Sequence, residues 1–116
     1  MAFTIFLNII TLRAGAIASA ANIAPALAVS IYDNYIKGDL KSVMEAQEKL
    51  STLRKVLNLS PYPGAIKEAT SIMEIDCGDP IKPIDKPSNN NIETISTVMK
   101  DLGLIEWREE LWRAAW

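Results

Sequence analysis

Residues 14–19 (Ala14-Gly15-Ala16-Ile17-Ala18-Ser19) form a short uncharged run of small residues, and no other segment constrains the fold of this chain as much. Bounded by Gly15 and Asn22, the run reads as a buried strand of the parallel kind, extending over about 14–20 and apolar on both faces. Everything that follows it reads as helix, turn or connector. One strand cannot make a sheet, because its backbone donors and acceptors need a ladder on each side. The pattern therefore calls for more β structure, from an upstream part or from a partner. Residues 2–12 (AFTIFLNIITL) are apolar with a mixed pattern that fits either a buried helix or a strand.

Four helical segments are expected downstream. Leu27, Ile31 and Tyr35 recur four residues apart over about 25–37. Pro25 suits a first helical turn, and Gly38 suits the end of that helix. Asp39 can cap the next helix, 40–58, where Leu40, Val43, Met44, Gln47, Leu50, Leu53 and Leu57 form a three-four repeat with one buried face. Pro61-Tyr62-Pro63-Gly64 breaks the chain. Ala65, Ile66, Ala69, Ile72 and Met73 then trace a short amphipathic helix closed by Cys77-Gly78. Residues 79–90 (DPIKPIDKPSNN) carry three prolines and read as an extended surface connector. Ser88 to Asn91 offer N-caps for a helix through Ile92, Ile95, Val98, Met99 and Leu102 that stops at Gly103. Trp107, Leu111, Trp112 and Trp116 suggest an amphipathic tail that docks on a neighbouring surface.

Composition removes several classes of function. Apolar residues make up 49% and charged residues 22%, which excludes intrinsic disorder. A net charge of -2 without a Lys/Arg-dense run leaves nucleic acid with nothing to bind, since that affinity rests on clustered positive charge. No histidine is present, so imidazole bases and ligands are missing. Cys77 is the only cysteine, so no disulfide or thiolate cluster can form within the chain; a reducing cytoplasm fits. It also lacks a neighbouring His or basic residue that would favour a thiolate nucleophile. Asp76, Asp79 and Asp85 follow no calcium-loop spacing and read as solvated charges. No metal or other cofactor is expected. Residues 14–32 are uncharged and approach a membrane span in length, but Asn22, Pro25 and the many small side chains argue against insertion. Ala18-Ser19-Ala20 mimics a signal-peptidase site, without the basic start that an export signal needs.

A family resemblance rests on four landmarks in register. Gly15 to Asn22 is similar to the G-x-I-[SGA]-x-x-x-N exit of the eighth barrel strand in the dihydrodipicolinate synthase and N-acetylneuraminate lyase family of pyruvate-type class I aldolases. Gly38-Asp39 matches that family's "GD" turn, Gln47-Glu48-Lys49-Leu50 its "Q-x-x-L" helix, and Pro63 to Ala69 its "P-x-x-[IV]-K-x-A" segment. Pro25 falls where the eighth helix opens, and Leu102-Gly103-Leu104 resembles the usual C-terminus.

The resemblance implies an α/β fold by ancestry: the C-terminal fragment of a (β/α)8 TIM barrel, its last strand followed by a mainly helical C-terminal region. The chain would divide into 1–37, the end of the barrel; 38–105, the helical region; and 106–116, the Trp-rich tail. The 116 residues are less than half of the roughly 250 that such a barrel takes. Family members use a lysine that forms a Schiff base with pyruvate or a related 2-keto acid, a proton-moving tyrosine and a G-T-T/S-G-E carboxylate clamp. All of these lie upstream of the matched part, and none of those motifs occurs here. Two positions carry over as pocket residues, Ile17 and Ser19, at the C-terminal end of the expected strand where barrels build their sites. For both, the plainer alternative is a residue chosen for packing. Arg13, next to the buried run, departs from the family pattern.

None of the eight lysines (Lys37, Lys41, Lys49, Lys55, Lys67, Lys82, Lys86 and Lys100) falls in an apolar strand, so the isolated chain is expected to be catalytically incompetent. Lys67 reads instead as an ion-pair partner. The expected partners are a missing N-terminal barrel part or further copies of the chain, through Leu40, Val43, Leu50 and Leu53 if those side chains are exposed.

Overall fold

A computed structural model describes residues 14–105. The apolar segment 2–12, Arg13 and the Trp-rich tail lie outside them. A 3-10 helix (Ser19–Asn22) precedes four α-helices: α1 (Pro25–Ile36), α2 (Leu40–Leu57), α3 (Gly64–Ile72) and α4 (Asn89–Asp101). The chain divides into two compact units, Met1–Arg54 and Lys55–Trp116.

The strand expected over about 14–20 is not formed, and no strand is present among the described residues. Ala18 keeps an extended backbone (φ -115°, ψ 113°), but residues 14–17 are exposed and Ser19 starts the 3-10 helix. The reason is local. Small side chains bury little on their own, whereas a tight turn satisfies backbone groups at once, as in the Ala21 N–H to Ala18 carbonyl bond of 3.0 Å. The 3-10 helix and α1 pack together, burying Ala20, Ile23, Ala24 and Ile31.

The ends of α1 and α2 follow the sequence closely. Pro25 opens α1, where its missing N–H costs nothing. Gly38 (φ 76°) closes it: the Gly38 N–H reaches the Tyr35 carbonyl at 3.0 Å and the Asp39 N–H reaches Asn34 at 3.0 Å. Asp39 then caps α2, accepting from the Ser42 N–H at 3.1 Å and the Ser42 hydroxyl at 2.7 Å. These two bonds, foremost that from the hydroxyl, hold the Asp39 carboxyl below its ordinary value.

Along α2 the buried stripe is Val43, Ala46, Gln47, Leu50, Leu53, Val56 and Leu57. Leu40 and Met44 stand outside it, more than half exposed. The expected association face is thus corrected: Val43, Leu50 and Leu53 are fully buried within the chain, and Leu40 alone of the four is open.

In the second unit, α3 and α4 pack together, with Ala65, Ala69, Ile95 and Met99 buried. Helix α3 ends at Ile72, five residues before the expected stop at Cys77. Glu74 adopts φ 62°, and the Glu74 and Ile75 N–H groups turn back to the Ser71 and Thr70 carbonyls, each at 2.8 Å. A glutamate thus takes the left-handed position that glycine usually marks, which hides the helix end from the sequence. The connector runs from there to Ser88, whose hydroxyl accepts from the Asn91 N–H at 3.3 Å and caps α4. The Asn91 amide donates to the Leu59 carbonyl at 3.1 Å and the Ser60 hydroxyl at 3.2 Å, tying that cap to the end of α2. No helix among the described residues is long and apolar enough to cross a membrane; residues 14–32 are broken at Asn22 and restart at Pro25.

Candidate functional site

Ile17 and Ser19, the two expected pocket residues, sit at the entry to the 3-10 helix. Ile17 is 96% exposed, and Ser19 is half-buried as the first residue of the turn. Neither lines the two recesses described below. The two stand two positions apart in sequence, on either side of Ala18.

The lysines decide what amine chemistry these residues can do. Schiff-base formation needs a neutral amine, which enzymes obtain by burying a lysine or placing it beside another cation. Seven of the eight lysines are exposed and Lys67 is half-buried. Lys86 pairs with Asp79 at 2.7 Å and Lys82 with Asp85 at 2.8 Å. Those partners raise both ammonium groups above the ordinary lysine value, first through the hydrogen bond and then through the carboxylate charge. Both groups are thereby held as cations, the state that cannot attack a carbonyl.

A polar recess of about 190 Å³ lies between α3 and the connector, lined by Lys67, Glu68, Ser71, Asp76, Asp79 and Lys86 among others. Its groups largely satisfy one another. Lys67 donates to the Cys77 carbonyl at 3.0 Å, a backbone partner in place of the carboxylate expected from the sequence. The Asp76 carboxylate accepts from the Gly78 N–H at 2.8 Å. Gly64 brings the connector close: a Cβ there would stand 2.9 Å from the Asp85 carbonyl oxygen. The recess thus serves to strap the connector onto α3. Cys77 is free and exposed. Among the described residues no group of three or more His, Cys, Asp or Glu is placed to hold a metal ion.

One polar group in the first unit lacks what those in the recess have. Gln47 is only 6% exposed; its Nε2 donates to the Ser51 hydroxyl at 3.2 Å, while Oε1 has no partner. It lines an open groove of about 470 Å³ with Lys41, Met44, Glu45, Glu48 and Ser51. Sequence reading placed Gln47 on the buried face, but nothing in the sequence marks its amide as half satisfied.

Comparison with known proteins matches this geometry to one family. The model of the dihydrodipicolinate synthetase family matches residues 4–102. A 4-hydroxy-tetrahydrodipicolinate synthase of Archaeoglobus fulgidus is 31% identical over 91 residues, covering 78% of this chain and 32% of that protein. An uncharacterized DapA-like lyase of Thermofilum pendens is 33% identical over 96 residues, covering 78% and 31%. A crystal structure of dihydrodipicolinate synthase superposes with a TM-score of 0.74 at 29% identity, covering 90% of this chain and 35% of that one. The chain spans about a third of the length of the relatives it matches.

Proposed function

This chain belongs to the dihydrodipicolinate synthetase family, and from that premise we propose that it is the C-terminal part of a Schiff-base lyase or aldolase acting on pyruvate or a related 2-keto acid. In this reading the segment about 14–20 is the last strand of a (β/α)8 barrel, pairing only when the rest of the barrel is present. Residues 1–37 close the barrel, 38–105 form the helical region, and 106–116 are a tail. Ile17 and Ser19 then line the rim of the keto-acid pocket, at the strand end where such barrels hold substrate. The lysine, the tyrosine and the carboxylate clamp come from the other part.

The 116 residues by themselves are catalytically incompetent in this reading. The observation that carries this is the setting of the eight lysines, none of which is buried. An amine that forms a Schiff base needs burial or a neighbouring cation to favour its neutral form. Incubation with pyruvate and borohydride, followed by mass spectrometry, tests the point. The expected result is unmodified protein; a pyruvate-sized adduct on any of the eight lysines would overturn the assignment.

A further inference from the structure

Two features of the chain take no part in the proposed chemistry. One is the segment 106–116 (EWREELWRAAW), which lies beyond the family match at 4–102 and carries all three tryptophans, Trp107, Trp112 and Trp116. Eleven residues are too few to hold a helix in water by themselves, so the apolar stripe expected of this segment needs a surface to lie on. Each indole is also a donor with no acceptor capacity, so burying one calls for an acceptor on the opposite surface.

The other feature is the groove along α2. Gln47 is buried there, yet its Oε1 has no hydrogen-bond partner. A buried acceptor left unpaired is costly, so a group that donates to it supplies what the free chain lacks. Beside it stand Met44, more than half exposed, and the exposed Lys41, Glu45 and Glu48, whose side chains form no ion pair among the described residues. The groove measures about 470 Å³, within the roughly 300–1,000 Å³ of sites that enclose an organic group. Among the described residues, Gln47 Oε1 is the one buried side-chain polar atom without a partner.

We propose that the α2 groove takes the 106–116 tail of a second copy of this chain, an indole N–H of the tail donating to Gln47 Oε1. The two surfaces match in charge as well as in hydrogen bonding. Lys41 and Glu45 stand four residues apart on α2, and Glu109 and Arg113 stand four apart in the tail with the signs reversed. With the two segments side by side in that register, Trp112 falls opposite Met44, and Trp116 falls opposite Glu48, next to Gln47. Every copy carries both a groove and a tail, so two copies that exchange tails fill both grooves and close as a two-fold pair.

Sedimentation velocity and tryptophan emission of the full chain, both over a concentration series, test this. All three tryptophans lie in the tail, so the emission reports on the tail alone. A dimer is expected to form as concentration rises, with the emission moving to shorter wavelength along the same curve. Variants are first checked for unchanged helicity by circular dichroism. Met44→Glu and Trp112→Ala are expected to weaken the dimer about tenfold or more, the loss typical of spoiling a central contact. Gln47→Met, which keeps the bulk and removes the acceptor, is expected to weaken it about threefold to tenfold. Glu45→Arg is expected to weaken it too, and adding Arg113→Glu to restore it, while the second-unit control Ile81→Glu dimerises as the unmodified chain does. A monomer at every concentration overturns the proposal, whether its emission is shifted, as when some other surface holds the tail, or not. So does a dimer that Met44→Glu, Trp112→Ala or Gln47→Met leaves unchanged. Pyruvate trapping enters none of these readouts, so their failure leaves the lyase reading as it stands.

Discussion

Asp39 and Ser42 make the clearest case of a single side chain read correctly from its neighbours. An acidic residue after Gly38 and three positions before a serine can accept from the free N–H groups of a first helical turn, and it does so here. Because the folded-state carboxyl is held below its unfolded value, the stability it contributes is present above about pH 3.9 and is lost as pH falls through the lower folded value. Thermal melts by circular dichroism should therefore show the unmodified chain losing more stability between pH 6 and about pH 3 than Asp39→Ala does. Gly38 tests the other side of the same junction. Its φ of 76° is open to glycine and strained for alanine, so Gly38→Ala is expected to cost about 1 kcal/mol in urea unfolding. Glu74 shows why such signals are incomplete: the same left-handed conformation appears there without a glycine to announce it.

The periodicity of α2 and its packing agree in outline and differ in detail. Val43, Gln47, Leu50, Leu53 and Leu57 lie inside as the repeat implies, while Leu40 and Met44 lie outside. Their places in the stripe go to Ala46 and Val56, which shifts the buried face by a fraction of a turn. Leu50→Ala is accordingly expected to destabilise the chain by about 3 kcal/mol in urea unfolding, through lost burial and a residual cavity. Met44→Ala should change the same measurement by less than about 0.5 kcal/mol. The connector on α3 tests a contact that no periodicity predicts. Gly64→Ala sets a Cβ against the Asp85 carbonyl, a backbone atom that cannot swing away, so the connector must move. A loss of about 1–3 kcal/mol is expected. Faster amide exchange around residues 79–87 would check that the connector is the part that yields.

At the scale of the whole chain, the match to the dihydrodipicolinate synthetase family covers most of these residues but only about a third of the relatives' length. The helices are well formed while the expected strand is not. Helices close their backbone hydrogen bonds within their own segment, so α1 to α4 form from local instructions and a buried stripe. A strand closes them with another strand, and no strand is present among the described residues. The proposed site fares likewise. Ile17 and Ser19 could be singled out from a motif, yet what would make them a pocket is the wall opposite, which has to come from other residues.

The sequence by itself determined the order of the four α-helices among the described residues, the opening of the first at Pro25, the cap at Asp39, the stops at Gly38 and Gly103, and the family. Each of these depends on contacts between residues a few positions apart, or on motifs that survive in order. The tertiary structure alone decided that Val43, Leu50 and Leu53 are covered, that α3 stops at Ile72, and that Lys67 bonds a carbonyl. It also decided that the Gln47 amide is half satisfied and that the run at 14–19 forms no strand and leads into a 3-10 helix at Ser19. Those outcomes depend on which distant groups reach a side chain or a backbone amide, and spacing along the chain does not carry that information.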